Sequence, residues 1–167
     1  TIDENSSTNE ELAIDPEMLG RIFENLLAEQ NPETKLVASD RKATGSYYTP
    51  RKIVDFMVEQ SIAEYLKANA QNIKSESIDD FVHSQETNEE IITNASDLLD
   101  RLNSVKVLDP ACGSGAFAIG MLQKLLGLKH TILNIQNKIN SKQYYNLKLN
   151  TIRNSIYGSD IQPLATE

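Results

Sequence analysis

Cys112 is the chain's only cysteine. A lone thiol excludes an internal disulfide and any zinc site built on cysteines, and it fits a reducing, cytoplasmic compartment. No apolar run approaches the roughly 18–20 residues that a membrane-spanning helix needs. The opening residues, T-I-D-E-N-S-S-T-N-E, are polar and acidic, the opposite of a secretion signal. Positive charge is scarce as well. Lys and Arg total 16 against 24 Asp and Glu, for a net charge of −8. That balance argues against nucleic-acid binding over most of the surface and leaves room for a local basic patch. There is no internal repeat and no low-complexity tract. Thr1 stands where a methionine would open a complete protein, and the last residues, D-I-Q-P-L-A-T-E, read as a helix just starting. Both ends therefore read as belonging to something longer.

What is present suits one soluble α/β domain. The chain has 167 residues, 40% of them hydrophobic and 24% charged, enough for a core of its own. Residues 1–14 read as a disordered lead-in. Asp15 before Pro16 gives a cap-plus-proline helix start, and Met18, Leu19, Ile22, Phe23, Leu26 and Leu27 predict a helix over 16–29. A loop follows. Thr49-Pro50 repeats the start signal, with Thr49 as the cap, and Ile53, Val54, Met57, Val58, Ile62, Tyr65 and Leu66 mark a helix over about 50–67. Residues 68–86 are poor in apolar side chains and read as loop. Ile91 through Leu102 predict a third helix.

From there the periodicity changes. Val105–Leu108 reads as a short buried strand, 116–127 as a helix, and the stretch to Asn154 as one or two further helical pieces. A second strand, Ser155–Ser159, runs into Asp160, and a turn through Pro163 starts another helix. This divides the chain into a lead-in (1–14), a helical segment (15–104) and an α/β segment (105–167). The order helix, strand, glycine turn, helix, strand, acid is the front part of a doubly wound, Rossmann-like α/β fold, preceded by helices.

The turn V-L-D-P-A-C-G-S-G-A-F carries the chemistry. Open α/β sheets bind ligands at the carboxyl ends of their strands. Gly113 and Gly115 permit positive φ and let a ligand approach the backbone. The helix behind them offers unpaired N–H groups and a partial positive charge. A third glycine of the dinucleotide fingerprint would fall at position 118, which is Ala118, and no Gly-Lys-Ser/Thr follows as a phosphate loop requires. Asp109, immediately before the turn, would repel a pyrophosphate and suits an ammonium group. A domain binding NAD or FAD remains one alternative. A helical interaction module with a purely structural turn is another.

Two other stretches join it. Asp160 closes the second strand, where an acid meets ribose hydroxyls, and Ile161 beside it offers an apolar side chain to an adenine face. Asp160 lies too far along the chain from Asp109 for a plain βαβ step, which predicts an insertion. Upstream, T-G-S-Y-Y-T-P-R-K sets Tyr48, Thr49 and Pro50 at a helix start. Arg41, Lys42, Arg51 and Lys52 cluster around it as candidate phosphate contacts, or as an ordinary solvated surface.

Taken together, these stretches resemble the amino-group DNA methyltransferases of bacterial restriction–modification systems. The nearest likeness is to the large type IIG/IIS proteins that join an N6-adenine methyltransferase to an endonuclease; the methylating subunit of type I systems is also similar. G-S-Y-Y-T-P-R-K-I-V-D-F-M-V resembles their motif X, V-L-D-P-A-C-G-S-G-A-F motif I and I-Y-G-S-D-I-Q-P-L-A motif II, in the gamma order. P-E-M-L-G-R-I-F-E-N-L-L is similar to the helix before motif X. The resemblance implies an S-adenosylmethionine-dependent methyltransferase fold acting on double-stranded DNA. It implies that Thr49, Asp109 and the backbone of Ala111 to Gly113 hold the methionine carboxylate and ammonium. Asp160 would take the ribose hydroxyls and Ile161 would pack on the adenine; Tyr48, Pro50 and Gly115 complete the set. Cys112, following Ala111 inside the turn, reads as a packing residue. The family's catalytic Asn/Asp-Pro-Pro-Tyr/Phe is absent from these residues. The expectation is a cofactor-binding portion without methyl transfer of its own. The catalytic, target-recognition and any nuclease parts would lie elsewhere in the same protein.

Overall fold

Val54, Val58, Ile62 and Leu66, four residues apart, form one continuous buried stripe, and this stripe organises the helical part of the molecule. It belongs to α1 (Arg51–Asn69). The computed structural model describes residues 49–138 and 140–161, together with Ile22. The lead-in, the rest of the helix expected over 16–29, the loop with Arg41, Lys42 and Tyr48, and the helix start after Pro163 lie outside the described residues. Among those described, no helix is long and apolar enough to cross a membrane. After α1 come α2 (Ser75–Ser84), α3 (Glu89–Thr93), α4 (Ala95–Ser104), β1 (Val107–Asp109), α5 (Ala116–Ile135), α6 (Ser141–Ser155) and β2 (Ile156–Gly158). The described structure is mostly helical, with one small parallel sheet.

Several sequence expectations are corrected. Thr49 is not the cap of α1. Pro50 holds that place with φ −55° and ψ 140°, and its carbonyl accepts from the N–H groups of Ile53 and Val54 at 2.9 and 3.2 Å. The ring fixes φ at a value compatible with extended backbone, so the helix opens one residue later. Residues 68–86 are not all loop, because α2 runs through them. Ile78, Phe81 and Val82 are fully buried, and their i, i+3, i+4 spacing was present but diluted by the polar residues around it. The single helix ending at Leu102 is two helices broken at Asn94. The Asn94 side chain donates back to the Glu90 carbonyl at 2.8 Å, satisfying a carbonyl at the end of α3.

The helix expected to stop at Gly127 continues to Ile135 as α5. Leu128 and Ile132 extend its apolar stripe past the glycine, and burial outweighs a propensity penalty of about 1 kcal/mol. Gly127 also has a packing role: a Cβ there would meet the Gln85 amide at 3.1 Å. Gln85 ends α2 in the left-handed region (φ 57°) and lies across α5. The second helical piece is α6, which opens with a reciprocal capping box between Asn140 and Gln143. Thus the insertion expected between Asp109 and Asp160 consists of two helices.

The strands pair in parallel, Val107 with Ile156, Leu108 with Tyr157 and Asp109 with Gly158. Buried side chains of α1, α2, α4 and α5 share one hydrophobic core, against which Val107, Phe117 and Ile156 pack. Close approach of α1 to α5 depends on Gly120, where a Cβ would stand only 2.8 Å from Val54 Cγ1. Lys129 is an exception in this core. It is 2% exposed, and its ammonium has one hydrogen bond, to Thr151 Oγ1 at 3.1 Å. Burial lowers its pKa to about 8.

Two measurements test this packing. Gly120→Ala is expected to lower stability in urea denaturation by about 1–2 kcal/mol, because the overpacking exceeds the helix propensity gained. Gly120→Ala with Val54→Ala should fall well short of the sum of the single losses. For Lys129, the folded pKa near 8 lies below the unfolded value of 10.5, so the unfolded chain binds more protons between those limits. Stability should therefore rise with pH across that window, by up to about 1.4 kcal/mol per unit. Lys129→Met should flatten that slope and raise stability at neutral pH.

Candidate ligand-binding site

β1 ends at Asp109, and the next six residues turn the chain into α5. Three hydrogen bonds tie this turn to the end of β2. The Ser159 N–H donates to the Asp109 carbonyl at 2.9 Å and the Cys112 N–H donates to the Ser159 carbonyl at 3.0 Å. The Gly113 N–H donates to Asp160 Oδ2 at 2.7 Å. Asp109, Ala111, Gly113, Gly115 and Asp160 are thereby brought into one site at the carboxyl ends of two parallel strands. Ser159 acts only through its backbone, which left no side-chain signal in the sequence.

The glycines are used as their positions demand. Gly113 has φ 49° and Gly115 φ 83°, both in the left-handed region. The position a Cβ would take at Gly113 has nothing within 4 Å, so the backbone is bare on that side. Gly115 closes the turn, donating its N–H to the Cys112 carbonyl at 2.7 Å, and caps α5 by accepting from Ile119 at 2.8 Å. It provides no side-chain cap. The N–H groups of Ala116, Phe117 and Ala118 donate to no described residue, leaving the positive end of α5 open beside the turn.

Asp109 is half-committed. Its Oδ1 accepts from the Ala111 N–H at 3.1 Å, while its Oδ2 is buried without a hydrogen-bond partner among the described residues. A buried carboxylate oxygen left unpaired costs about 1–3 kcal/mol or more. Against it lies a cavity of about 270 Å³, bounded by Met57 and Ser61 of α1, Leu108 of β1, Phe117 of α5 and Tyr157 of β2. Cys112 packs inside the turn, its Cβ and Sγ each 3.2 Å from where a Cβ of Gly158 would stand. Burial first, then Asp109 and Asp160, push its thiol pKa upward. The thiol is held in its protonated, poorly nucleophilic form.

The other sequence candidates sit differently. Thr49 is half-buried and Pro50 exposed, and neither is hydrogen-bonded to the glycine turn. Arg51 Nη2 donates to Gln123 Oε1 at 2.9 Å, which puts the start of α1 beside the second turn of α5. Arg51 also pairs with Asp55 at 3.3 Å. Lys52 is exposed. Ile161 is 91% exposed and packs on nothing. The N–H groups of Ala111, Cys112 and Gly113 are all engaged within the protein.

Residues 82–163 match the family described as the DNA-methyltransferase domain of MmeI. A protein of Methanocaldococcus jannaschii, provisionally named a type II restriction enzyme and methyltransferase, is 33% identical over 171 residues. That likeness covers 97% of this chain and 14% of the relative, so the chain spans about one seventh of the relative's length. No solved structure matches. The matched domain contains β1, the glycine turn, α5, α6, β2 and Asp160, the elements that build the site. Both likenesses point the same way, to DNA methyltransferases of restriction–modification systems.

Proposed function

We propose that the carboxyl ends of β1 and β2 bind S-adenosylmethionine, as the cofactor part of a DNA methyltransferase specific for the N6 amine of adenine. The single observation that carries this is the buried, unpartnered Asp109 Oδ2 beside the bare backbone of Gly113. A ligand ammonium supplies what that oxygen lacks, and a pyrophosphate would be repelled by it. This favours an aminoacyl ligand over NAD or FAD. The N6 assignment rests on the resemblance to type IIG/IIS proteins that carry an N6-adenine methyltransferase. When bound, S-adenosylmethionine supplies an electrophilic methyl group.

The chain's own residues would divide the ligand among them. Asp109 receives the ammonium. The carboxylate finds its donors at the open first turn of α5, since the N–H groups of Ala111 to Gly113 are already engaged. Asp160, now bonded to the Gly113 N–H, is the acid within reach of ribose hydroxyls, and exposed Ile161 provides an apolar surface for adenine. Tyr48, Thr49 and Pro50 belong to the motif X-like stretch and would close the methionine side. The parallel strand pair supports a doubly wound sheet, because parallel strands are normally buried on both faces and Leu108 is 66% exposed here. The helical segment 15–104 and the α/β segment 105–167 would then be the two parts of the cofactor half. Double-stranded DNA, further catalytic and target-recognition domains and a cytoplasmic setting follow from the same reading.

Calorimetric titration tests it. S-adenosylmethionine and S-adenosylhomocysteine are expected to bind more tightly than NAD, and Asp109→Ala to weaken both by about tenfold or more. Methylthioadenosine, which lacks the amino-acid head, should bind the parent and Asp109→Ala alike. Tighter binding of NAD than of either adenosyl ligand would overturn the proposal.

A further inference from the structure

All 24 acidic residues of the chain lie outside the stretch from Pro110 to Ser159, which carries Lys124, Lys129, Lys138, Lys142, Lys148 and Arg153. In an acidic protein this is a strong segregation of charge. The cations also differ in how they are used. Arg51, Lys67, Lys74, Arg101 and Lys124 each meet a carboxylate. Lys138, Lys142, Lys148 and Arg153 meet none among the described residues, and all four are exposed. Three of them stand on α6, the extra helix of the crossover.

Thr151 and Ser155 mark the buried side of α6. Lys142, Tyr145, Asn146 and Arg153 recur at intervals of three, four and seven on the opposite side. Tyr145 is 66% exposed. At a rise of about 1.5 Å per residue, the two terminal cations of this ridge stand about 16 Å apart, more than the roughly 12 Å width of a DNA major groove. Asn146 and Leu149 fill the interval, and Ile152, 42% exposed, borders it. At the far end Lys106 donates to the Asn154 carbonyl and lies 5.9 Å from the centre of the Tyr157 ring, adding a cation.

We propose that this face of α6 binds the sugar–phosphate backbone of duplex DNA, with Lys142 and Arg153 as phosphate contacts and Tyr145 between them. The identity of the polyanion rests on the methyltransferase reading; the face itself rests on its geometry and charge. Contacts of this kind position a protein on the duplex and carry no sequence information. They also give the acidic chain a local attraction for its substrate that its net charge would otherwise oppose.

Fluorescence anisotropy of the chain with a labelled duplex of about 24 base pairs, from about 50 to 200 mM salt, decides the matter. The double variant Lys142→Gln, Arg153→Gln is expected to lose about tenfold or more in affinity at the lowest salt. Its slope of log affinity against log salt should flatten by about 2, near 0.9 for each contact removed. Lys67→Gln with Lys74→Gln, which removes paired cations, should change neither. Circular dichroism confirms that each variant is folded. Unchanged affinity and slope in the folded double variant, or no binding by the parent at about 50 mM salt, would overturn the proposal. S-adenosylmethionine titration of the same proteins separates the two readings. If the cofactor binds and the double variant still holds DNA, the α6 face falls alone. If no cofactor binds and the variant loses DNA, the cofactor reading falls alone.

Discussion

The locking of the glycine turn to the end of β2 is the contact on which the site depends. The Asp109 carbonyl, the Cys112 N–H and the Gly113 N–H all find their partners at Ser159 and Asp160, almost fifty residues away in sequence. Without β2 these groups would be open to water and the turn would have no reason to hold its two left-handed glycines. With β2 in register, they are fixed, and Asp109 is left with one oxygen satisfied and one buried without a partner. Parallel pairing is what makes this possible. Both strands deliver their carboxyl ends to the same edge, so an acid following each strand arrives at one place.

α5 transmits that constraint to the rest of the chain. Its first turn begins the ligand-facing end, and its length then carries it past α1, α4 and α6. Gly120 admits Val54 of α1, and Gly127 admits the Gln85 side chain from the end of α2. Glu59 links three helices, accepting from Lys124 of α5 at 2.6 Å and from His83 of α2 at 3.0 Å. These contacts hold its carboxyl below the usual range against the opposing effect of burial. The helices that precede β1 in sequence are thus part of the support for the turn.

Charge divides along the same line. The helices before β1 bear acids and pair their cations with them, largely at short range, as in Arg51–Asp55 and Arg101–Asp97. Exposed pairs of this kind add little stability, but they cancel local fields. The crossover has no acid to pair with, and its exposed cations on α6 remain uncompensated. A protein of net negative charge therefore carries one face of local positive charge. The orphaned cations α6 presents lie within the βαβ unit that also builds the ligand turn.

Much of this was legible in the sequence, and the exceptions share a cause. Asp109, Gly113, Gly115 and Asp160 were readable because each is the residue type that its backbone position or chemistry requires. The two strands, the glycine turn and the insertion between them followed from periodicity and spacing, although the first strand runs over Val107–Asp109 with Leu108 exposed and not over a buried Val105–Leu108. α2 was not readable, because three apolar residues in ten look like loop until a core exists to bury them. The continuation of α5 through Gly127 was hidden in the same way, since a glycine signals a stop unless a neighbouring side chain needs its space. Sequence by itself determined which residues could form the turn and which acids could flank it. Only the tertiary structure decided that the turn's own N–H groups are spent on Ser159 and Asp160, and that one Asp109 oxygen is left over. Hydrogen-bond partners distant along the chain are chosen by packing, and no local pattern encodes them.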